Sequence, residues 1–150
     1  MLQIARPEAP LDQLAGRLHK SSAVTPGTIP DVISHACSRV AVHAPCARES
    51  LNRLIAAGAW LDAALALLAL EAPQWKLRRL AFDDGEWFCS LSRQPQLPIE
   101  LDDTIDSRHE NAAIAILLAL VETRKAAQPE AATLRLQPLP ATAVNCDNFA

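Results

Sequence analysis

The sequence predicts a small α+β domain with the element order helix, β-hairpin, helix, an αββα core. Two long apolar stretches have helical spacing, and an Asp-Gly pair separates two strand-like segments between them. Half of the 150 residues are hydrophobic, mostly Ala and Leu, while aromatic residues make up 4%. This composition has few β-branched residues and argues against an all-β sandwich or barrel.

The chain divides into three parts by composition. Residues 1–47 contain scattered prolines and only short apolar stretches, which make marginal helices without packing. Residues 48–126 hold the long apolar segments, and residues 127–150 are again rich in Pro, Ala and Thr. We therefore expect a loosely structured or disordered N-terminal arm, a compact αββα domain and a disordered C-terminal tail.

The first helix is expected from Arg48 to Glu71. Its apolar residues recur every three or four positions and form one stripe: Leu51, Leu54, Ile55, Leu61, Leu65 and Leu68. Gly58 is expected to bend this helix or to allow a close approach, and Pro73 ends it. Asp62 is the one charged residue between Leu54 and Leu70.

The hairpin is the strongest local signal. Trp75–Phe82 and Glu86–Arg93 read as strands, and Asp84-Gly85 suits a two-residue type I′ turn. That turn predicts three cross-strand pairs: Phe82 with Trp87, Leu80 with Cys89, and Arg78 with Leu91. The face with these apolar residues is expected to cover the core.

The second helix is expected to start in the acidic stretch from Glu100 to Glu110 and to end near Arg124-Lys125. Acidic residues at a helix start and basic residues at its end suit the helix dipole. Its apolar part, Ala112–Val121, is hydrophobic nearly all round, and a break near Ser107–His109 is allowed by capping residues there.

A two-stranded hairpin has too little area to cover two helices with so much apolar surface. The excess predicts self-association or a protein partner, with two hairpins joining edge to edge as one arrangement. The expected apolar interaction surface comprises Trp60, Leu67, Leu70, Trp75, Leu77 and Phe88. Our first functional hypothesis is therefore a non-catalytic protein-interaction or homodimerisation module.

A second hypothesis is a nucleic-acid-associated regulator. Basic side chains lie among aromatic ones on the hairpin, an arrangement that can contact phosphates and stack on bases: Lys76, Arg78, Arg79 and Arg93. Acidic residues at the turn and a net charge of −3 oppose this role.

A third hypothesis is metal binding, with a metal-dependent enzyme as its catalytic form. His35, Cys37, His43 and Cys46 are zinc-ligand types, although their spacing matches no common zinc motif. A second cluster would share one helical face: Asp103, Asp106, His109 and Glu110. For both sets, the favoured interpretation is that these residues do not form a metal site, so no metal or other cofactor is predicted.

The sequence contains few features that are typical of an enzyme or of a secreted protein. It contains no GxSxG elbow and no glycine-rich phosphate loop, and Cys89 is expected to be a buried, inert thiol. An enzyme and a small-molecule substrate are therefore not expected. No secretory signal is recognised, and Asp62 disfavours a membrane span, so we expect a cytoplasmic protein with reduced cysteines.

Overall fold

Helices surround one face of a three-stranded antiparallel sheet in the computed structural model, which describes residues 9–42 and 45–136. The helices are α1 (Pro10–Lys20), α2 (Thr28–Ala36), α3 (Arg39–Val42), α4 (Pro45–Ala56), α5 (Trp60–Glu71) and α6 (Ala112–Leu136). The strands are β1 (Lys76–Asp83), β2 (Glu86–Ser92) and β3 (Thr104–His109), and a 3₁₀ turn spans Ile99–Leu101. The predicted α+β class is confirmed, with one more strand than the predicted hairpin.

The hairpin forms around the predicted turn. Asp84 and Gly85 have φ angles of 53° and 84°, the positive values that a type I′ turn requires at both positions. The pairs Phe82–Trp87 and Leu80–Cys89 are confirmed. The predicted pairing of Arg78 with Leu91 is wrong, because a β-bulge at Arg78 places Leu77 opposite Leu91.

The third strand replaces the expected helical start. β3 pairs with β2 along its whole length, so β2 is the central strand and β1 and β3 are the edges. Asn111 then caps the N-terminus of α6. Its Oδ1 accepts hydrogen bonds from the backbone N–H groups of Ala113 at 3.0 Å and Ile114 at 3.3 Å. The predicted helix over the acidic stretch is therefore wrong up to this cap.

The predicted first helix is two helices, α4 and α5. Gly58 has φ 71°, and its N–H bonds to the Ile55 carbonyl while the Ala59 N–H bonds to the Leu54 carbonyl. These two bonds form a Schellman motif, which ends α4 and uses the left-handed conformation that glycine adopts freely. Asp62 lies exposed in the first turn of α5, where its charge suits the helix dipole.

Helix α6 forms the centre of the core. Every residue from Ala113 to Val121 is at most 3% exposed. The helix contacts α1, α2 and α5 as well as β2 and β3, so protein surrounds its apolar circumference. The excess apolar surface that predicted an association is thus largely covered within the chain. The helix also passes its expected end at Arg124-Lys125 and continues into the predicted tail as far as Leu136.

Residues 10–36 are part of the core. Helices α1 and α2 bury a continuous set of apolar side chains against α6: Leu11, Leu14, Leu18, Ile29 and Val32. The expected loose arm is therefore wrong for these residues, because each short helix is stabilised by packing that its own sequence does not reveal. Residues 1–8, 43–44 and 137–150 lie outside the described residues.

Across the described ranges, no helix is long and apolar enough to cross a membrane.

Candidate functional site

The predicted apolar interaction surface is only partly exposed. Leu67 and Trp75 are 0% and 7% exposed and belong to the core, so the expectation that they form an accessible surface is wrong. Trp60 and Leu70 are half-buried against that core. Leu77 is exposed and Phe88 is half-buried. The sequence could not distinguish the buried from the exposed residues of this surface, because it did not show that α1 and α2 pack on the core.

The basic residues of the hairpin separate into different surroundings. Arg78 is half-buried, whereas Lys76, Arg79 and Arg93 are exposed. The Arg93 guanidinium lies 4.7 Å from the ring centre of buried Trp75. Such cation–π contacts already occupy a ring face that a nucleic-acid base would need for stacking.

Phe88 is covered in the same way. Its ring lies 4.8 Å from the Arg108 guanidinium and 5.8 Å from that of Arg79. The exposed aromatic residue Phe82 packs on Trp87 beside the acidic turn. Nucleic-acid binding therefore gains no stacking platform here and stays a prediction.

The metal-ligand clusters are not assembled. Asp106 and His109 lie on opposite sides of β3, since an odd separation of three places two strand residues on opposite faces. The His35 ring lies against Asp31, Cys46 is exposed, and His43 is outside the described residues. Among the residues that the structure describes, no three His, Cys, Asp or Glu side chains are placed to hold a metal ion.

Asp102 fixes the loop between β2 and β3. Its Oδ2 accepts hydrogen bonds from the guanidinium of Arg78 and from the hydroxyl of Ser92, and Arg78 also donates to the Leu97 carbonyl at 3.2 Å. The bulge thus directs Arg78 to the loop. The Asp102 side chain is 1% exposed, which makes this a buried structural ion pair.

The thiols of Cys37 and Cys89 are shielded from solvent. Burial, opposed by a hydrogen bond with Ser107, raises the pKa of Cys89 to about 11. Burial and the nearby charge of Glu71 raise the pKa of Cys37 to about 12. Glu71 itself is buried and accepts the backbone N–H groups of Ser38 and Val40 at the start of α3. Neither thiol is suited to act as a nucleophile at neutral pH.

A groove of about 730 Å³ runs along β3, and we call it the β3 groove. Helix α1 contributes one wall through His19, and α6 contributes Leu118, Glu122, Lys125 and Ala126. The other wall consists of Phe88 and four consecutive residues of β3, namely Ile105, Asp106, Ser107 and Arg108. Because alternate side chains of a strand point to opposite faces, a groove that touches all four must follow the strand's edge.

The groove continues past the end of β3. A smaller cavity of about 230 Å³ shares His19 and Arg108 with it and extends to Ser21, Ser22 and Glu110. The available space is therefore elongated along the strand.

The free edge of β3 offers backbone hydrogen-bonding groups. Asp83 and Glu86 flank the two-residue turn, so they form a hydrogen-bonded pair, and the pattern alternates from there. By this alternation Ser107 bonds to Cys89, whereas the N–H and C=O groups of Asp106 and Arg108 point away from β2. Within the described chain, no backbone hydrogen bond joins β3 to any element beyond β2 and the start of α6.

Charges of both signs line the β3 groove. Asp106 and Arg108 are exposed on the same side of the strand. Lys125 is held by Asp12 of α1 at 2.9 Å and Glu122 at 3.0 Å. Desolvation lowers the pKa of Lys125, but the hydrogen bonds with these two carboxylates outweigh it and raise the pKa. Lys125 therefore remains a cation that ties α1 to α6.

The groove combines apolar and polar lining. The one hydroxyl among its lining residues, on Ser107, donates to the Ala115 carbonyl at 2.6 Å. Leu118 and Ile105 supply an apolar floor. This groove was not predicted, because the acidic stretch that includes β3 was expected to start the second helix. The alternation of Ile105, Ser107 and His109 with charged residues nevertheless has the period of a strand.

Comparisons of the chain with protein-family models, with curated proteins and with solved structures give no match.

Proposed function

We propose that this protein is a non-catalytic protein-interaction module that binds an extended segment of a partner protein as a fourth strand on β3. The observation that carries the proposal is the β3 groove, which follows a sheet edge whose backbone groups are unpaired within the described chain. Strand addition uses such an edge for affinity and the adjoining pockets for specificity.

The walls of the groove favour a single extended segment. Opposite β3 stands α1, which Asp12 and Lys125 tie to α6. The groove is therefore bounded by helices on the side away from β3. One extended chain needs only the width of a strand, about 4.8 Å from β3.

A homodimer is the other form of the original hypothesis. Two hairpins cannot pair through β2, because β2 already has a neighbour on each side. The edge of β1 remains open to such pairing, whereas the β3 groove adjoins the edge of β3. The partner segment on β3 is therefore the better-supported arrangement.

Random ten-residue peptides displayed on phage are a direct test with the full chain as bait. We expect selected peptides to slow hydrogen exchange at the amides of Asp106 and Arg108, which would become the new ladder donors. An Asp106→Pro variant should lose this binding, since proline removes an edge donor while leaving the pairing of β3 with β2 intact. Circular dichroism would establish that the variant is folded.

Two results would contradict the proposal. One is a library that yields no binding peptide. The other is a set of peptides that bind the folded Asp106→Pro variant as tightly as the unaltered protein, because they would then occupy a different surface.

A further inference from the structure

Resting on the proposed function, we infer that the partner segment runs antiparallel to β3 and carries an acidic residue, an apolar residue and a basic residue in that order. The order follows from the exposed pair Asp106 and Arg108, which are two residues apart on one side of the edge strand.

The antiparallel direction sets the order of the two charges. In that direction, the partner residue opposite Arg108 precedes the residue opposite Asp106 by two positions. An acidic residue first and a basic residue second would give two opposite-charge cross-strand pairs. Both existing pairs of strands in this sheet are antiparallel, and parallel pairing is slightly less stable per residue.

The ring of Phe88 helps to position Arg108, the basic residue of the pair Asp106 and Arg108. This ring holds the Arg108 guanidinium 4.8 Å from its centre, on the same face of the sheet as Asp106. The ring limits the positions that the guanidinium adopts before a partner arrives. An incoming carboxylate would therefore meet a partly organised cation.

The middle residue of the segment faces the other way. It would lie opposite Ser107, whose hydroxyl bonds to the Ala115 carbonyl and so marks the side of the sheet that packs on α6. Ile105 and Leu118 line the groove on that side. An apolar side chain at the middle position would bury surface against them.

A second copy of this chain meets only part of the requirement. Its own Asp106-Ser107-Arg108 has the acidic and basic residues in the stated order, but a serine lies between them. The partner that we infer is therefore a different protein chain, present as an extended segment.

Two synthetic ten-residue peptides of identical composition test this inference. One has Glu-Val-Lys at its centre and the other has Lys-Val-Glu, and each is titrated against the full chain while amide chemical shifts are followed. We expect Glu-Val-Lys to bind about tenfold more tightly. A protein with both Asp106→Arg and Arg108→Asp should show the inverted preference, which a general effect of either substitution on folding would not produce.

The outcomes separate the inference from the proposed function. Equal binding of the two peptides, or tighter binding of Lys-Val-Glu, would overturn the inferred order but leave β3 as the binding site. Failure of both peptides while library peptides bind would also overturn it. A stable dimer that Asp106→Pro converts to a monomer would identify a second copy as the occupant and overturn the inference.

Discussion

At the scale of single residues, the buried polar groups hold irregular segments to the core. Asp102 ties the loop before β3 to the bulged Arg78, and Glu71 ties the start of α3 to α5. In both cases a carboxylate meets a charged or backbone donor, which compensates for part of its desolvation. The two acids therefore stabilise the fold, and neither of them lines the β3 groove.

We expect Asp102→Ala to destabilise the protein by about 3 kcal/mol, because it leaves the half-buried Arg78 without its counter-ion. Urea denaturation measures this free energy of unfolding. The matched control is the neighbouring exposed residue, since Asp103→Ala should change stability by less than about 0.5 kcal/mol. Equal effects of the two substitutions would show that the pair does not hold the loop.

Cys89 makes the stability of the fold depend on pH in the alkaline range. Its pKa rises from an ordinary 9.0 to about 11 in the folded protein, so the folded state favours the protonated thiol. The thiol has no effect on the pH dependence well below pH 9, and its contribution is lost as the pH rises from 9 to 11 and the unfolded thiol ionises. The loss at pH 10 should be about 1 kcal/mol.

Urea denaturation at pH 7 and pH 10 tests this dependence. A Cys89→Ala variant should lose less stability between the two values than the unaltered protein does. Cys46→Ala is the control, because it removes a cysteine that is exposed and lies outside the core. The same slope in all three proteins would mean that other groups cause the alkaline loss.

At the scale of elements, the sequence predicted correctly the features that depend on residues close together in the chain. The Asp84-Gly85 turn fixed the register of the adjacent pairs because both φ angles lie within two residues of the strands they join. The bulge at Arg78 escaped prediction because Asp102, the residue that Arg78 binds there, lies 24 residues away in the sequence. β3 escaped because its alternation of polar and apolar residues covers only six positions, and pairing with β2 decides between strand and helix.

The two glycines in or beside helices give opposite predictions. A Cβ added at Gly58 or at Gly16 meets no atom within 4 Å, so space does not distinguish them. Gly58 has a positive φ, and we expect Gly58→Ala to cost about 1 kcal/mol. Gly16 lies inside α1, and we expect Gly16→Ala to stabilise by about 0.5–1 kcal/mol.

Thermal denaturation of the two variants beside the unaltered protein is the measurement. The melting midpoint should rise for Gly16→Ala and fall for Gly58→Ala, because only Gly58 has a positive φ. Movement in the same direction would contradict the assignment of Gly58 as the residue that ends α4.

At the scale of the whole molecule, α6 determines the architecture. A helix that is apolar on every side must be covered on every side, and here the sheet, α5, α1 and α2 share that cover. The sequence showed that α6 must pack against other elements on all sides. It did not show which elements these are, because α1 and α2 have too few residues to predict stable helices alone. The expected partner surface is therefore only partly exposed, whereas the edge of β3 has backbone groups that are unpaired within the described residues.

Leu14→Ala tests whether α1 belongs to the same cooperative unit as the sheet. Leu14 is fully buried, and its truncation should destabilise the protein by about 3 kcal/mol. Fluorescence follows unfolding through Trp60, Trp75 and Trp87, all of which lie outside the first 47 residues. The exposed Ser22→Ala is the control and should leave the transition in place. An unchanged tryptophan transition in Leu14→Ala would mean that α1 unfolds independently, and the wall that it gives to the β3 groove would then be a separable element.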